Sequence, residues 1–148
     1  MKTKIPPPII TLICIVLNYL STYLINPIKF PNTEIISGLI FLLGLFTAIF
    51  AILLFKKDKT TVNPIDPEET TTLVTTGIFS ITRNPMYLGL FFLISSTVLF
   101  FGSWLGIIIL VIFVWYINKF QIIPEEQAME KLFGKKYNEY KKNVRRWI

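Results

Sequence analysis

Residues 73–89 read LVTTGIFSITRNPMYLG, a polar segment with one arginine, Arg83, that runs directly into an apolar stretch. Asn84-Pro85 stands at the junction, where a proline in the first helical turn loses no needed donor and the asparagine can cap the helix. A second polar element, Pro124-Glu125-Glu126, follows the last apolar stretch of the chain. The two elements are either interfacial helix caps or the two halves of one site.

The composition is typical of a polytopic membrane protein. Of 148 residues, 53% are hydrophobic and only 16% are charged, and the mean hydropathy is +0.59. Four apolar runs come near the roughly 17–25 residues that cross a bilayer as a helix. They are residues 9–25, 35–55, 86–101 and 104–117. We predict a single all-α domain with about four transmembrane helices, the last two forming a hairpin at Gly102-Ser103.

The positive charges predict an orientation, because Lys and Arg are retained on the cytoplasmic side of a membrane. Lys2 and Lys4 precede the first run, and most other cations lie in residues 56–85 and 119–148, whereas Lys29 is alone on the other side. We expect both termini and both polar segments to be cytoplasmic. The net charge of +6 then serves contact with anionic membrane lipids, and we expect no nucleic-acid partner.

The segment after Pro124 predicts an amphipathic helix. Apolar residues recur at helical spacing with lysines and arginines between them. The expected apolar stripe, which would lie on the membrane, consists of Met129, Leu132, Phe133, Tyr137, Tyr140 and Val144.

The residues that are missing limit the chemistry. The chain has no histidine and one cysteine, Cys14, within the first apolar run. A His-ligated metal and a Ser-His triad are therefore excluded, and we expect no metal site. The seven glycines form no G-x-G pair, which excludes a dinucleotide-binding turn and a P-loop. Catalysis would have to rest on positioning and electrostatics.

Together, residues 73–89, the acidic pair and residues 133–147, FGKKYNEYKKNVRRW, resemble the integral-membrane methyltransferases that include isoprenylcysteine carboxyl methyltransferase and phospholipid methyltransferase. Residues 60–64 read TTVNP and are similar to an upstream TxVxP element of that family. The resemblance implies S-adenosylmethionine as cofactor, held at the cytoplasmic ends of the last two spans under the C-terminal segment. It also implies a lipidic or prenylated substrate, and we expect the chain in a bacterial inner membrane.

The resemblance implies roles for single residues as well. Arg83 and Glu126 are the candidate catalytic residues, and Gln121 is the candidate substrate contact. The implied cofactor contacts are Thr72, Leu73, Val74, Phe79, Asn84, Pro85, Met86, Tyr87, Gly89 and Glu125.

Three of these positions depart from the family pattern. Asn84 replaces the usual histidine, and Phe79 replaces a common tyrosine. Gln121 stands where prenylcysteine methyltransferases carry a basic residue near the substrate carboxylate, which weakens a strict prenylcysteine assignment.

The acceptor stays open on the sequence. Methyl transfer to a carboxylate needs no base, because opposite charges cancel as the reaction proceeds in a low-dielectric site. Transfer to an amine needs a proton acceptor, for which Glu126, Tyr87 or water are available. Two other hypotheses are an NADPH-dependent reductase of the sterol Δ14 type and a non-catalytic membrane scaffold.

Overall fold

The computed structural model describes residues 5–57 and 72–148. The element at residues 60–64 lies outside them. Within the described residues the protein is helical and has no β-strand, and its six α-helices are α1 (Pro7–Ser21), α2 (Thr33–Lys57), α3 (Pro85–Phe101), α4 (Leu105–Ile117), α5 (Ile123–Phe133) and α6 (Lys135–Asn143).

Each predicted span corresponds to a helix, although α1 ends at Ser21, four residues before the end of the first predicted span. The predicted break between the last two spans is present. α3 ends at Gly102, whose φ of 65° is the left-handed conformation that glycine adopts most easily. A side chain there would also strike the backbone of Ile28, since an added Cβ would lie 2.5 Å from its carbonyl oxygen. The chain then turns into α4.

The last helix is longer than the fourth apolar run. A π-helical turn, Asn118–Ile122, joins α4 to α5 without a break, so one continuous helix runs from Leu105 to Phe133. Its apolar part is α4, whereas α5 carries Glu125, Glu126 and Lys131. The acidic pair therefore lies beyond the apolar part of a helix and not in a separate segment.

Among the residues that the structure describes, two helices are long and apolar enough to cross a membrane by length and composition: α2 and the helix from Leu105 to Phe133. α1 and α3 are apolar but shorter, with 15 and 17 residues, against the roughly 20 residues of a typical crossing. The all-helical prediction is confirmed for the described residues. Four crossings remain a prediction.

Neighbouring helices run in alternate directions. At one end of the bundle, the amide of Gln121 donates to the carbonyl of Ile5 over 3.2 Å, which places the start of α1 beside the end of α4. At the other end, Asn18 of α1 donates to Thr97 of α3 over 3.0 Å. The starts of α1 and α3 and the end of α4 thus share one end of the bundle.

α2 and α3 cross closely at a pair of glycines. A Cβ added to Gly89 would lie 2.8 Å from the carbonyl oxygen of Gly44, and a Cβ on Gly44 would lie 2.9 Å from that of Gly89. Small residues let apolar helices approach where no water is available to drive association. The end of α2 also contacts Gly77, so α2 ends at the same end of the bundle at which α3 begins.

The C-terminal segment differs from its prediction. It forms two helices, because the chain turns at Gly134, whose φ is 48°. Tyr137, Tyr140 and Val144 are buried and pack together with Leu73. The predicted single amphipathic helix on the membrane is therefore wrong: much of its apolar stripe packs on protein, and its lysines face outward.

Candidate functional site

The two polar elements of the sequence meet at one end of the bundle. The hydroxyl of Tyr87, in the first turns of α3, donates to Glu125 of α5. Beside this pair, Arg83 Nη2 lies 3.1 Å from Glu126 Oε1. Because α4 and α5 form one helix antiparallel to α3, the beginning of α3 reaches the acidic pair. The hypothesis that the two polar elements are halves of one site describes this geometry better than the hypothesis of two separate helix caps.

Glu125 is in an environment that favours its neutral form. Burial raises the pKa of its carboxyl to about 7, with a further rise from Glu126, although the hydrogen bond from Tyr87 acts in the opposite direction. A carboxyl with such a pKa is partly protonated at neutral pH. A cation bound beside it would favour its charged form.

Glu126 is held by two arginines. Arg146 donates to it from Nε over 3.1 Å and from Nη2 over 2.6 Å, and Arg83 pairs with it from the other side. The side chains of Arg83 and Glu126 are only 11% and 13% exposed. Arg83 is therefore not an exposed arginine reaching for lipid headgroups. It is a buried member of an ion-pair network.

Part of the Arg83 guanidinium has no hydrogen-bond partner among the described residues. Its Nε and Nη1 are buried, and in residues 5–57 and 72–148 they donate to no hydrogen-bond acceptor. Buried donors of charged groups are costly when they are left unsatisfied. We call these two buried nitrogens the open edge of Arg83, because no acceptor in the described residues bonds to them, and such an edge is suited to an anionic ligand group.

Asn84 precedes α3 but does not cap it with its side chain. Its Nδ2 donates to the backbone carbonyl of Arg146 over 2.8 Å, and its own backbone N–H is bonded to the hydroxyl of Thr82. The predicted capping role of the Asn84 side chain is therefore wrong. The amide instead ties the start of α3 to the end of the chain.

Two tyrosines of α6 cover this network. Tyr140 donates from its hydroxyl to the carbonyl of Phe79 over 2.6 Å, and burial raises the pKa of both Tyr137 and Tyr140. The charge of Glu126 raises the pKa of Tyr137 further, whereas that of Arg83 lowers it. α6 thus closes the polar network against solvent.

Six further predicted residues lie in residues 72–86, the segment that precedes and begins α3. Val74 and Phe79 are buried with Ala51 of α2, and Met86 packs against them. Pro85 is fully buried, Leu73 packs on the α6 tyrosines, and Thr72 is exposed.

Gly89 and Gln121 have contacts with other parts of the bundle. Gly89 faces α2, where its small size serves the helix crossing. Gln121 is 2% exposed and its amide reaches the carbonyl of Ile5. Their roles in binding cofactor or substrate stay predictions, as do those of the other assigned residues.

The sequence analysis assigned no site role to residues 144–147, which we call the C-terminal strap. It contains Arg146, the second partner of Glu126, and Trp147, whose indole N–H donates to Asn118 over 3.2 Å. In the sequence Arg146 is one of many cations between residues 131 and 146. No local pattern distinguishes it from the others.

The chain is similar in sequence to known proteins. A model of the phospholipid methyltransferase family matches residues 32–136. An uncharacterised protein of Haemophilus influenzae is 44% identical over 66 residues, which are 43% of this chain and all of that protein. No solved structure matches the chain at a significant level.

Two yeast enzymes, both protein-S-isoprenylcysteine O-methyltransferases, also match over 72 residues. The enzyme of Schizosaccharomyces pombe is 31% identical and that of Saccharomyces cerevisiae is 35% identical. In each case the match spans 49% of this chain and 30% of the enzyme. Since the family model covers well over half of the 148 residues, the chain belongs to the phospholipid methyltransferase family of membrane proteins.

Proposed function

We propose that the protein is an S-adenosylmethionine-dependent methyltransferase that acts in a membrane on the polar end of a lipidic substrate. The meeting of Arg83 and Tyr87 with Glu125 and Glu126 at one end of an apolar helical bundle carries this proposal. A site in that place can receive a polar reacting group while the tail of the same molecule stays among apolar helices.

The residues of the site fit the cofactor. Glu125 would face a cationic part of it, because a carboxyl with a pKa of about 7 becomes fully charged when a cation lies beside it. Tyr87 would hold that carboxylate in place through its hydroxyl. The open edge of Arg83 would bind a carboxylate, either that of the cofactor or that of the acceptor.

When bound, S-adenosylmethionine supplies an electrophilic methyl group on a sulfonium sulfur, which an acceptor oxygen or nitrogen attacks in line. The protein has to align the partners and exclude water. The buried α6 tyrosines and the ion pairs around Glu126 serve both purposes. No metal and no histidine is needed for such a reaction.

The ion pairs bear on the choice of acceptor. Both carboxylate oxygens of Glu126 are bonded to arginines, so Glu126 is poorly placed to take a proton from a substrate amine. Glu125 would be the better proton acceptor of the two. A carboxylate acceptor would need no proton acceptor and would pair with Arg83. We therefore propose that the polar end of the substrate is anionic.

The same geometry supports a proposal for topology. The start of α1, the end of α2 and the α5–α6 segment share one end of the bundle. We propose that this is the cytoplasmic end of a bacterial inner-membrane protein, with both termini on that side. Anionic lipids would then contact the outward-facing lysines of α6.

Methyl transfer from labelled S-adenosylmethionine tests the proposal. Purified protein in nanodiscs is offered a total lipid extract or a farnesylated cysteine, and base-labile methanol release separates esters from methylamines. We expect label in a lipidic product that forms methanol on treatment with base. No transfer into either acceptor would contradict the proposal.

The two other hypotheses make different predictions. A reductase of the sterol Δ14 type would bind NADPH, and a scaffold would tolerate alanine at Arg83, Tyr87 and Glu125 without loss of function. The matched family does not favour either alternative.

A further inference from the structure

The C-terminal strap runs along the segment that precedes α3. The backbone N–H of Arg83 donates to the carbonyl of Arg145 over 3.0 Å, and Asn84 Nδ2 donates to the carbonyl of Arg146 over 2.8 Å. Trp147 then reaches Asn118 at the end of α4. The strap thus bridges the start of α3 and the end of α4.

Arg146 contacts both halves of the site. Its backbone carbonyl accepts the Asn84 bond beside α3, while its guanidinium holds Glu126 of α5 in a two-point contact of 3.1 Å and 2.6 Å. The hydrogen bond to Glu126 also raises the pKa of Arg146. Arg146 thus joins the two segments through its backbone carbonyl on one side and its guanidinium on the other.

We propose that Arg146 is a positioning residue of the site. It fixes the orientation of the Glu126 carboxylate, and Glu126 in turn holds Arg83 through Nη2 alone. The buried Nε and Nη1 of Arg83 then have no acceptor among the described residues, which leaves their N–H groups for a ligand. The inference rests on the proposed function, because the ligand of Arg83 is a reactant of the proposed methyl transfer.

The geometry requires an arginine at this position. A guanidinium forms two parallel hydrogen bonds with a carboxylate, whereas an ammonium acts as a single point charge. Lysine at position 146 would retain the charge and lose the fixed orientation of Glu126. The carbonyl bond to Asn84 would remain in any variant, since it uses the backbone.

The test compares Arg146→Ala and Arg146→Lys with the wild type in nanodiscs. We measure kcat and KM for methyl transfer, together with the melting temperature. Lys142→Ala is the matched control, because Lys142 is an exposed cation of α6. We expect Arg146→Ala to lower kcat at least tenfold, Arg146→Lys to recover part of that loss, and Lys142→Ala to stay within twofold of the wild type.

Separate outcomes overturn separate claims. If the wild type transfers methyl groups and Arg146→Ala keeps kcat within threefold, the positioning role is wrong and the proposed function stands. If kcat falls only in proportion to the folded fraction in both Arg146 variants, the role is structural and the proposal is also wrong.

If Arg146→Ala does not fold, Arg146→Lys decides: unchanged kcat contradicts the proposal, and a loss of kcat in folded protein supports it. A wild type that transfers no methyl group overturns the proposed function itself, and this inference with it.

Discussion

Buried polar groups connect the helices at both ends of the bundle, but the two clusters differ in charge. At the end away from the site, Asn18 donates to Thr97, Ser21 shares a hydrogen bond with Ser103, and the N–H of Gly106 bonds the Ser103 hydroxyl. We call this the far cluster. All of its side chains are short and neutral, as is typical of hydrogen bonds that hold helices together in membranes.

The site cluster consists of Arg83, Tyr87, Glu125, Glu126 and Arg146. It contains three charged side chains in ion pairs and a carboxyl with a raised pKa. Two nitrogens of its Arg83 guanidinium have no partner in the part of the chain that the structure describes. Burying such charges costs desolvation free energy, and apolar side chains of similar volume would often stabilise the fold equally well. This difference in charge indicates that the far cluster serves helix packing, whereas the site cluster is suited to ligand binding and chemistry.

The largest expected effect comes from removing the open guanidinium edge. Arg83→Gln should lower kcat/KM for methyl transfer about 10²–10³-fold, because a preorganised charged donor to the reacting groups is lost. Glu126 keeps its bonds to Arg146 in this variant, so the fold should persist. Labelled methyl transfer measures the rate, and a melting curve checks folding. A rate within threefold of the wild type would contradict the difference between the clusters.

A pH dependence is expected from Glu125. Its folded pKa of about 7 lies above the reference value of 4.5, so the folded state binds this proton more tightly than the unfolded state does. The resulting stability is fully present below pH 4.5 and is lost as the pH rises through about 7, a change of up to about 3 kcal/mol. Melting temperatures of wild type and Glu125→Gln are compared from pH 4.5 to 8.

The glutamine variant has no proton to lose at this position. The wild type should therefore lose stability relative to Glu125→Gln as the pH rises. A difference between the two proteins that does not change with pH would show that Glu125 ionises normally.

The far cluster should affect stability and leave chemistry unchanged. A Cβ on Gly106 would lie 2.6 Å from Val98 Cγ2 and 2.8 Å from Asn18 Oδ1, and such overpacking costs roughly 1–3 kcal/mol. Gly38→Ala is the control, because nothing lies within 4 Å of its added Cβ. Gly106→Ala should melt at a lower temperature than Gly38→Ala, with equal kcat per folded molecule. A selective loss of kcat in Gly106→Ala would contradict a purely structural role.

The smallest effect should come from an exposed ion pair in the same region as the site. Glu130 pairs with Lys141, and their side chains are 42% and 28% exposed. Glu130→Gln should change the free energy of unfolding by less than about 0.5 kcal/mol, since exposed pairs contribute little. Its methyl transfer rate should stay within twofold of the wild type. The same substitution at Glu126 should affect both quantities far more, and equal effects at the two positions would refute the account.

Much of the fold could be predicted from apolar periodicity and turn residues. The helices follow the apolar runs, and the break at Gly102 and the helix start at Pro85 lie where the sequence indicates them. The proximity of Tyr87 and Glu125 could be predicted, because both residues lie at the same end of the predicted hairpin. Such features depend on local pattern or on the alternation of helices, and both can be read along the chain.

Other features depend on tertiary contacts that no local pattern contains. The chain turns at Gly134, so Tyr137 and Tyr140 pack on protein, yet the same periodicity also describes a helix on a membrane. Asn84 is a residue type that commonly caps helices, but its side-chain amide donates instead to the backbone carbonyl of Arg146, which is distant in the sequence. Arg146 became recognisable only through its position beside Glu126.

Calorimetric titration of S-adenosylmethionine into the protein in nanodiscs tests the central claim most directly. At pH 8, where Glu125 is ionised, the wild type should bind the cofactor, and Glu125→Gln should bind it at least tenfold more weakly. Glu130→Gln, which removes an acidic charge from an exposed pair on the same helix, should bind like the wild type. Absence of binding by the wild type, or equal affinities for wild type and Glu125→Gln, would contradict the assignment of the site.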